Sequence, residues 1–406
     1  MLSETSLREF YEHVFPVELI TTWLAYDLSS NDPAEHPDKV DSINKSNGNV
    51  PMNAAAYLAR REFCFTLRGD IFTRFRSFLN AQELREELIK CSPEKIDVGG
   101  VYNIRPNSKQ SFVNISPQER ELVFDIDMSD YDSVRSCCSG KAICLYCWEW
   151  VACAINVLRK VLSEDFGFKH MLPVFSGRRG VHLWVCDKRA RKMRNDERAA
   201  LVGYLAVVET KITKGSVIDD LVNYHKIHPT IEGIYEECIK KSFEKLFIGS
   251  NMNPNNMEHN PRSASVVMNA MKKVLTMNRK TLLIDFMRKI NFEEGGVLEL
   301  NDIKRALKNE DEAHPIICAA QLFLMYPRLD EHVTTRRDHL LKLPFCVHAG
   351  TGSLCCPLDW ETLSSFDPLK DSPNLENMIL NRSYNHKFEG PLRKMLNDMQ
   401  NDPDEI

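Results

Sequence analysis

Residues 121–128 read ELVFDIDM, an apolar run interrupted by acids at alternate positions. Side chains along a strand face opposite ways in turn, so Leu122, Phe124 and Ile126 share one face while Asp125 and Asp127 share the other. Aspartate is depleted in strands, and two like charges held together are costly unless water or a cation relieves them. A solvent-facing strand end satisfies that requirement, and so does a metal ion. Two-metal phosphoryl transfer needs carboxylates that bridge ions about 3.5–4 Å apart, which aspartates two residues apart on a strand can supply. An EF-hand loop counted from Asp125 would need glycine at its sixth position, where Asp130 stands, so calcium of that kind is excluded.

Downstream, residues 172–187 read LPVF-SGRRG-VHLWVCD, two apolar runs around a polar, glycine-bearing turn. This predicts a hairpin that presents Ser176, Arg178, Arg179 and, two residues into the second strand, His182. Guanidinium forks match phosphate oxygens in pairs, and glycines let backbone N–H groups approach an anion, so a nucleoside triphosphate suits the turn. A plain solvated turn is the competing reading, and the aspartates in the same domain weigh against it. A third group, YPRLDEHV with HLLKLPFCVH, adds Asp330, His339, Lys342 and His348. Lys342 and His348 flank Pro344 as further phosphate contacts; His339 is either a nucleotide contact or a satisfied structural histidine.

The rest of the chain organises around these segments. Apolar positions at helical spacing predict two short helices over residues 5–27, the second opened by Pro16. Ser29 to Met52 loses apolar pattern and reads as a flexible loop. Residues 61–185 mix strand runs (REFCFTL, ELVFDIDM, LPVF, VHLWVCD) with helical ones near Gln82–Lys90 and Trp148–Ser163, which is α/β (α+β) patterning with mixed sheets flanked by helices. Strand signals fade over 191–315 in favour of amphipathic helical runs, then return in HLLKLPFCVH and SLCCPL, joined by a turn at Ala349–Gly352. The expected division is a discontinuous catalytic domain, 1–190 with 316–406, carrying a helical insertion at 191–315. The acidic tail NDPDEI is expected to fray.

Cys137, Cys138, Cys144 and Cys147 lie within eleven residues and form a compact knuckle spacing, C-C-x5-C-x2-C, over 137–147. Structural zinc is the expected occupant, ahead of an iron–sulfur cluster or buried free thiols. The chain has 13 cysteines and no apolar leader at its start, so reduced thiols and metal ligands are expected rather than a disulfide framework. Its most apolar stretch, Ile143–Leu158, is broken by Glu149 and Asn156, and no membrane span is expected. Net charge is −5, so contact with nucleic acid must come from local basic groups.

Taken together, these segments resemble the eukaryotic DNA primase small-subunit family of the archaeo-eukaryotic primase superfamily. The resemblance is carried by REF at 61–63, ELVFDIDM at 121–128, the cysteines, DFGFKH at 165–170, SGRRGVH at 176–182, PRLD at 327–330 and LLKLPFCVH at 340–348. It implies that Asp125, Asp127 and Asp330 hold Mg²⁺ or Mn²⁺, that Ser176, Arg178, Arg179, His182, Lys342 and His348 bind the incoming nucleotide, and that Glu62 sits in the active site. It implies the primase fold and synthesis of short RNA primers on a single-stranded DNA template from ribonucleoside triphosphates. Its implied partners are the primase large subunit, which carries an iron–sulfur cluster, and DNA polymerase alpha, and its implied location is the nucleus. The loop at 29–52 is longer than the family pattern, Leu343 and Cys346 stand where small hydroxyl residues are common, and 190–315 carries no recognisable match. Two other readings compete. DIDMS also looks like the nucleophile motif of haloacid-dehalogenase-type phosphatases, but PRLDEH does not supply their second acidic motif. A non-catalytic single-strand-binding scaffold subunit leaves the three aspartates unexplained.

Overall fold

A computed structural model describes residues 3–26, 54–111, 114–208, 216–248, 264–276, 280–290, 300–307, 310–381 and 384–405. The loop expected at 29–52 and the polar break at 251–263 lie outside the described residues. Two antiparallel sheets carry the strands. The larger has the order β2 (Ile71–Arg76), β1 (Arg61–Leu67), β3 (Lys95–Tyr102), with β4 (Pro117–Glu119) and β8 (Leu341–Lys342) end to end along the outer edge of β3. The smaller has the order β5 (Leu122–Asp127), β7 (Gly180–Val185), β6 (Met171–Phe175). This is mixed α/β architecture with helices packed around antiparallel sheets.

The alternation read from ELVFDIDM is the burial pattern of β5: Leu122, Phe124 and Ile126 are fully buried, and Asp125 and Asp127 are half-buried. Its pairing with central β7 sets Asp125 opposite His182 and Asp127 opposite Gly180. The helix Leu145–Glu164 packs beneath the small sheet. It is apolar on nearly every side, as a helix buried all round should be, and it anchors residues of the helical stretch. The Trp150 indole donates to the Leu324 carbonyl at 3.1 Å, and Glu149 accepts from Ser242 at 2.7 Å and from Lys245. Between 191 and 315 every described element is helical, and the helix Glu310–Met325 runs across the boundary expected at 315/316. Among the described residues no helix is long and apolar enough to cross a membrane.

Two expectations fail for identifiable reasons. HLLKLPFCVH yields only the two-residue strand β8, because Pro344 has no N–H to donate and Phe345 adopts φ +67°. The hairpin survives as a few rungs, Phe345 N–H to the Cys355 carbonyl at 2.7 Å and His348 N–H to the Ser353 carbonyl at 2.8 Å. The acidic tail does not fray: Asp402 accepts from Lys169 at 2.9 Å and contacts His170 Nε2 at 3.1 Å, and Glu405 accepts from the Lys188 amide at 2.7 Å and pairs with Arg191 at 3.2 Å. Both carboxylates are buried with polar partners at that end of the molecule, buried Arg191 and His170 and the exposed Lys169 among them, which composition alone does not reveal.

Candidate active site

The site is assembled where β5 ends and the β6–β7 hairpin turns. Asp125 Oδ1 lies 3.5 Å from His182 Nε2 across the strand pair, and the Asp330 amide reaches the Asp125 carbonyl at 3.4 Å, which docks the PRLD segment on the strand end. Burial, then the charges of Asp127 and Asp330, push the Asp125 carboxyl up to about 7. Asp127 is also partly desolvated, but the Arg179 fork at 2.6 and 3.0 Å and two bonds from Ser129 hold its carboxyl below the ordinary range. Asp330 is exposed and caps the next helix by accepting from the His332 amide at 3.0 Å. The three carboxylates therefore stand close enough to repel, although Arg179 and the cap hold two of them turned aside. Hard oxygen donors suit Mg²⁺ or Mn²⁺, although with Arg179 on Asp127 and Asp330 capping its helix the three do not all lie within 4.8 Å of one another.

The cationic side is built by the turn itself. Ser176 Oγ accepts from the Gly180 amide at 3.1 Å, closing the hairpin. Gly177 takes φ +84°, and a Cβ there would lie 2.7 Å from His348 Cβ, so glycine lets the two segments meet. Lys342 Nζ points at the Ser176 carbonyl at 3.4 Å. His182 is held neutral, its pKa driven down to about 3 by burial and by Lys342 and Lys95. His348 is driven down to about 4 by burial, Lys342 and Arg178. Arg178 is half-buried beside His348 and forms no ion pair among the described residues. Ser176, Arg178, Arg179, His182, Lys342 and His348 thus gather around the β6–β7 turn, with Arg179 on Asp127 and His182 beside Asp125.

A family model, that of the DNA primase small subunit, matches residues 124–360, a stretch that runs from Asp125 through the cysteines and the hairpin to His348. The chain belongs to this family. The DNA primase small subunit of Drosophila melanogaster is 33% identical over 380 residues, covering 89% of this chain and 78% of that one. That of Schizosaccharomyces pombe is 34% identical over 379 residues, covering 91% and 75%. That of Saccharomyces cerevisiae is 32% identical over 378 residues, covering 91% and 83%. These alignments extend through the helical stretch, where the family pattern was not legible by eye.

Glu62 and His339 have partners of their own. Glu62 is fully buried; its two oxygens take Arg74 at 2.9 and 3.2 Å, the Tyr102 hydroxyl at 2.9 Å and the Phe75 amide at 3.3 Å. It reaches solvent only through Arg74, whose side chain is 40% exposed. His339 has its pKa lowered by burial and Arg120, and its other charged neighbours are Asp330, Arg336 and Asp338, on the PRLD side.

Several primase-site neighbours were missed in the sequence. Asp97 on β3 lies opposite Lys342 on β8 and pairs with Lys95 at 2.8 Å, bringing a buried carboxylate and a second lysine near Lys342 and His182. Asp130, in the turn after β5, has its carboxyl pushed up by burial and by Asp127, Asp125 and Asp330. The signal for Asp97 was its place in KIDVGG, acid amid apolar residues, as in β5.

Among the described residues, two groups of three or more possible ligands have donor atoms all within 4.8 Å of one another. One, His170, Asp187 and Glu405, is already satisfied: Asp187 accepts the amides of Lys169 and His170, and the other two are held by the tail contacts. The other is Cys137, Cys138, Cys144 and Cys147. The sulfur pairs Cys137–Cys147 and Cys144–Cys147 are 3.5 and 3.8 Å apart. A tetrahedron with metal–sulfur bonds of about 2.3 Å has edges of roughly 3.75 Å, so the spacing suits one metal ion. Cys144 and Cys147 open the Leu145–Glu164 helix, whose positive end favours thiolates.

Proposed function

We propose that this chain is the catalytic subunit of a DNA primase, joining ribonucleoside triphosphates into short RNA on single-stranded DNA at the Asp125–Asp127–Asp330 cluster. The observation that carries the reading is the β5–β7 register, which sets two aspartates beside a cationic turn at the same end of one small sheet.

Asp125, Asp127 and Asp330 would hold the divalent ions. When bound, such ions supply Lewis-acid neutralisation of charge at the reacting phosphate and lower the pKa of an attacking 3′-hydroxyl. Arg178, Lys342 and the hairpin amides hold the triphosphate, and Arg179, whose fork is on Asp127, turns to phosphate when a cation takes that carboxylate. His182 and His348, kept neutral, donate an N–H each without adding charge. The protein's contribution is positioning and electrostatics, as phosphoryl transfer asks.

The same reading takes zinc as the ion of the cysteine knuckle, since four thiolates at tetrahedral spacing are its preferred set. It takes 191–315 as a helical subdomain inserted into a catalytic domain of 1–190 and 316–406, and pairs the chain with the primase large subunit and DNA polymerase alpha in the nucleus. Copurification with a second subunit tests the partnership.

The direct test is incorporation of labelled ribonucleotides on single-stranded DNA with Mg²⁺ or Mn²⁺, comparing wild type with Asp125→Asn/Asp127→Asn after folding is verified by circular dichroism. Short RNA from wild type and none from the folded double variant is expected. Equal synthesis by both sinks the metal-site assignment, and none from either with the large subunit present favours a scaffold role.

A further inference from the structure

Between the aspartate pair and the cysteine knuckle lies a short turn, and one fully buried guanidinium ties its two ends. Arg135 has no side-chain exposure, and its side-chain hydrogen bonds among the described residues go to the loop between β5 and the Leu145 helix and to that helix's first turn. Its Nε and Nη2 reach Asp132 Oδ1 at 2.7 and 2.6 Å. Nη2 also donates to the Gly140 carbonyl at 3.0 Å, while Nη1 donates to the Ala142 carbonyl at 3.1 Å and to Cys147 Sγ at 3.3 Å. The second Asp132 oxygen accepts the Gly140 amide at 2.8 Å.

On the other side, the turn Met128–Tyr131 begins at Asp127. The Ser129 amide and hydroxyl both donate to Asp127 Oδ1, each at 2.8 Å. The Asp132 amide bonds the Ser129 carbonyl at 3.1 Å, and the Arg135 amide bonds the Tyr131 carbonyl at 2.8 Å. An unbroken run of hydrogen bonds therefore joins Asp127 to Cys147. A buried guanidinium needs anionic partners. Asp132, 37% exposed, is one; a sulfur in a set of four that would carry net negative charge around a divalent ion is the natural second.

We propose that Arg135 is a positioning residue that couples the metal centre of Cys137, Cys138, Cys144 and Cys147 to the Asp127 carboxylate, by fixing the 128–135 turn against Cys147 Sγ. The inference rests on the metal reading of the knuckle and on metal-dependent synthesis at Asp127. It separates Arg135 from a residue that merely fills space, because loss of the side chain should register at both ends.

The test uses the full chain as wild type, Arg135→Ala and Arg135→Lys. Three quantities are measured: zinc per chain by plasma emission, the rate of zinc release to a chromogenic chelator, and the Mg²⁺ concentration that half-saturates ribonucleotide incorporation. Wild type is expected to carry about one zinc. Arg135→Ala should release it at least ~10-fold faster, as loss of partners to metal ligands does, and should need several-fold more Mg²⁺. Arg135→Lys, which keeps the charge and loses the fork, should fall between and remains the deciding variant if the alanine chain does not fold. Unchanged zinc release overturns the contact, and faster release with unchanged Mg²⁺ dependence overturns the coupling. A wild-type chain that is active yet purifies without zinc, and takes none up, overturns the knuckle reading beneath the proposal.

Discussion

Asp125 illustrates how far one side chain can be read. Aspartate in an apolar strand demands a reason, and ELVFDIDM made Asp125 and Asp127 visible for that reason. In the folded chain burial and two neighbouring carboxylates push Asp125 up to about 7, from an ordinary value of 3.8. An acid whose pKa is raised on folding binds its proton more tightly in the folded state, so stability falls as pH climbs from about 4 to 7. Without Mg²⁺, thermal stability of the wild type is expected to fall across that window, and Asp125→Asn should flatten the fall. At pH 8 the asparagine chain should be the more stable by on the order of 1 kcal/mol, a discounted figure because 26% of the side chain still meets water. It should make no RNA. A lower melting temperature for Asp125→Asn at pH 8 would remove electrostatic crowding as the organising feature of the site. Asp97, Asp130 and Arg74 escaped the sequence reading because each enters through a partner far along the chain or through a turn: β8 for Asp97, the PRLD segment for Asp130, Glu62 for Arg74.

At the scale of elements, period-two alternation was enough for β5, apolar runs around a polar turn for the fully buried β6 and β7, and helical periodicity for the N-terminal pair, whose observed spans are Glu4–His13 and Val17–Ala25. The β8 hairpin was over-read because apolar runs do not show a backbone that Pro344 and a positive φ at Phe345 interrupt. The SGRRG turn was legible in type, but the reason for its first glycine was not. Gly177 has φ +84°, and an added methyl group would meet His348 Cβ at 2.7 Å, the Ser353 carbonyl at 3.0 Å and Cys355 Sγ at 3.2 Å. Gly177→Ala is therefore expected to cost about 1–3 kcal/mol in stability from strained backbone and overlap. It should also raise the KM for nucleotide more than it lowers kcat, because it pries His348 and Lys342 away from the arginines while leaving the aspartates in place. Denaturant melts and steady-state incorporation give the two numbers; an unchanged KM would mean that the hairpin does not hold the nucleotide.

Over the whole molecule, the strand pattern lost over 191–315 and regained beyond it was visible in the sequence, whereas the way the far end is fastened was not. The tail docks at the Met171 and Val185 end of the small sheet, opposite the hairpin that joins Phe175 to Gly180. A six-residue strand spans roughly 20 Å, so the two ends are well separated. Arg191, on which Glu405 closes, is buried, stacks over Tyr26 at 3.6 Å and, among the described carboxylates, otherwise pairs only with Glu119, at 3.6 Å. Deleting residues 401–406 takes Asp402 from exposed Lys169 and from His170 and, with more consequence, takes Glu405 from buried Arg191; a buried cation stripped of a partner is strongly destabilising. A loss of about 2–4 kcal/mol is expected, seen as a lower denaturant midpoint. Because the tail touches neither the aspartates nor the hairpin, nucleotide KM below the melting range should stay as in wild type. A shifted KM would mean that the latch and the site communicate along β7; an unshifted midpoint would mean that the tail's carboxylates exchange for water at no cost, and that their burial is incidental to the fold.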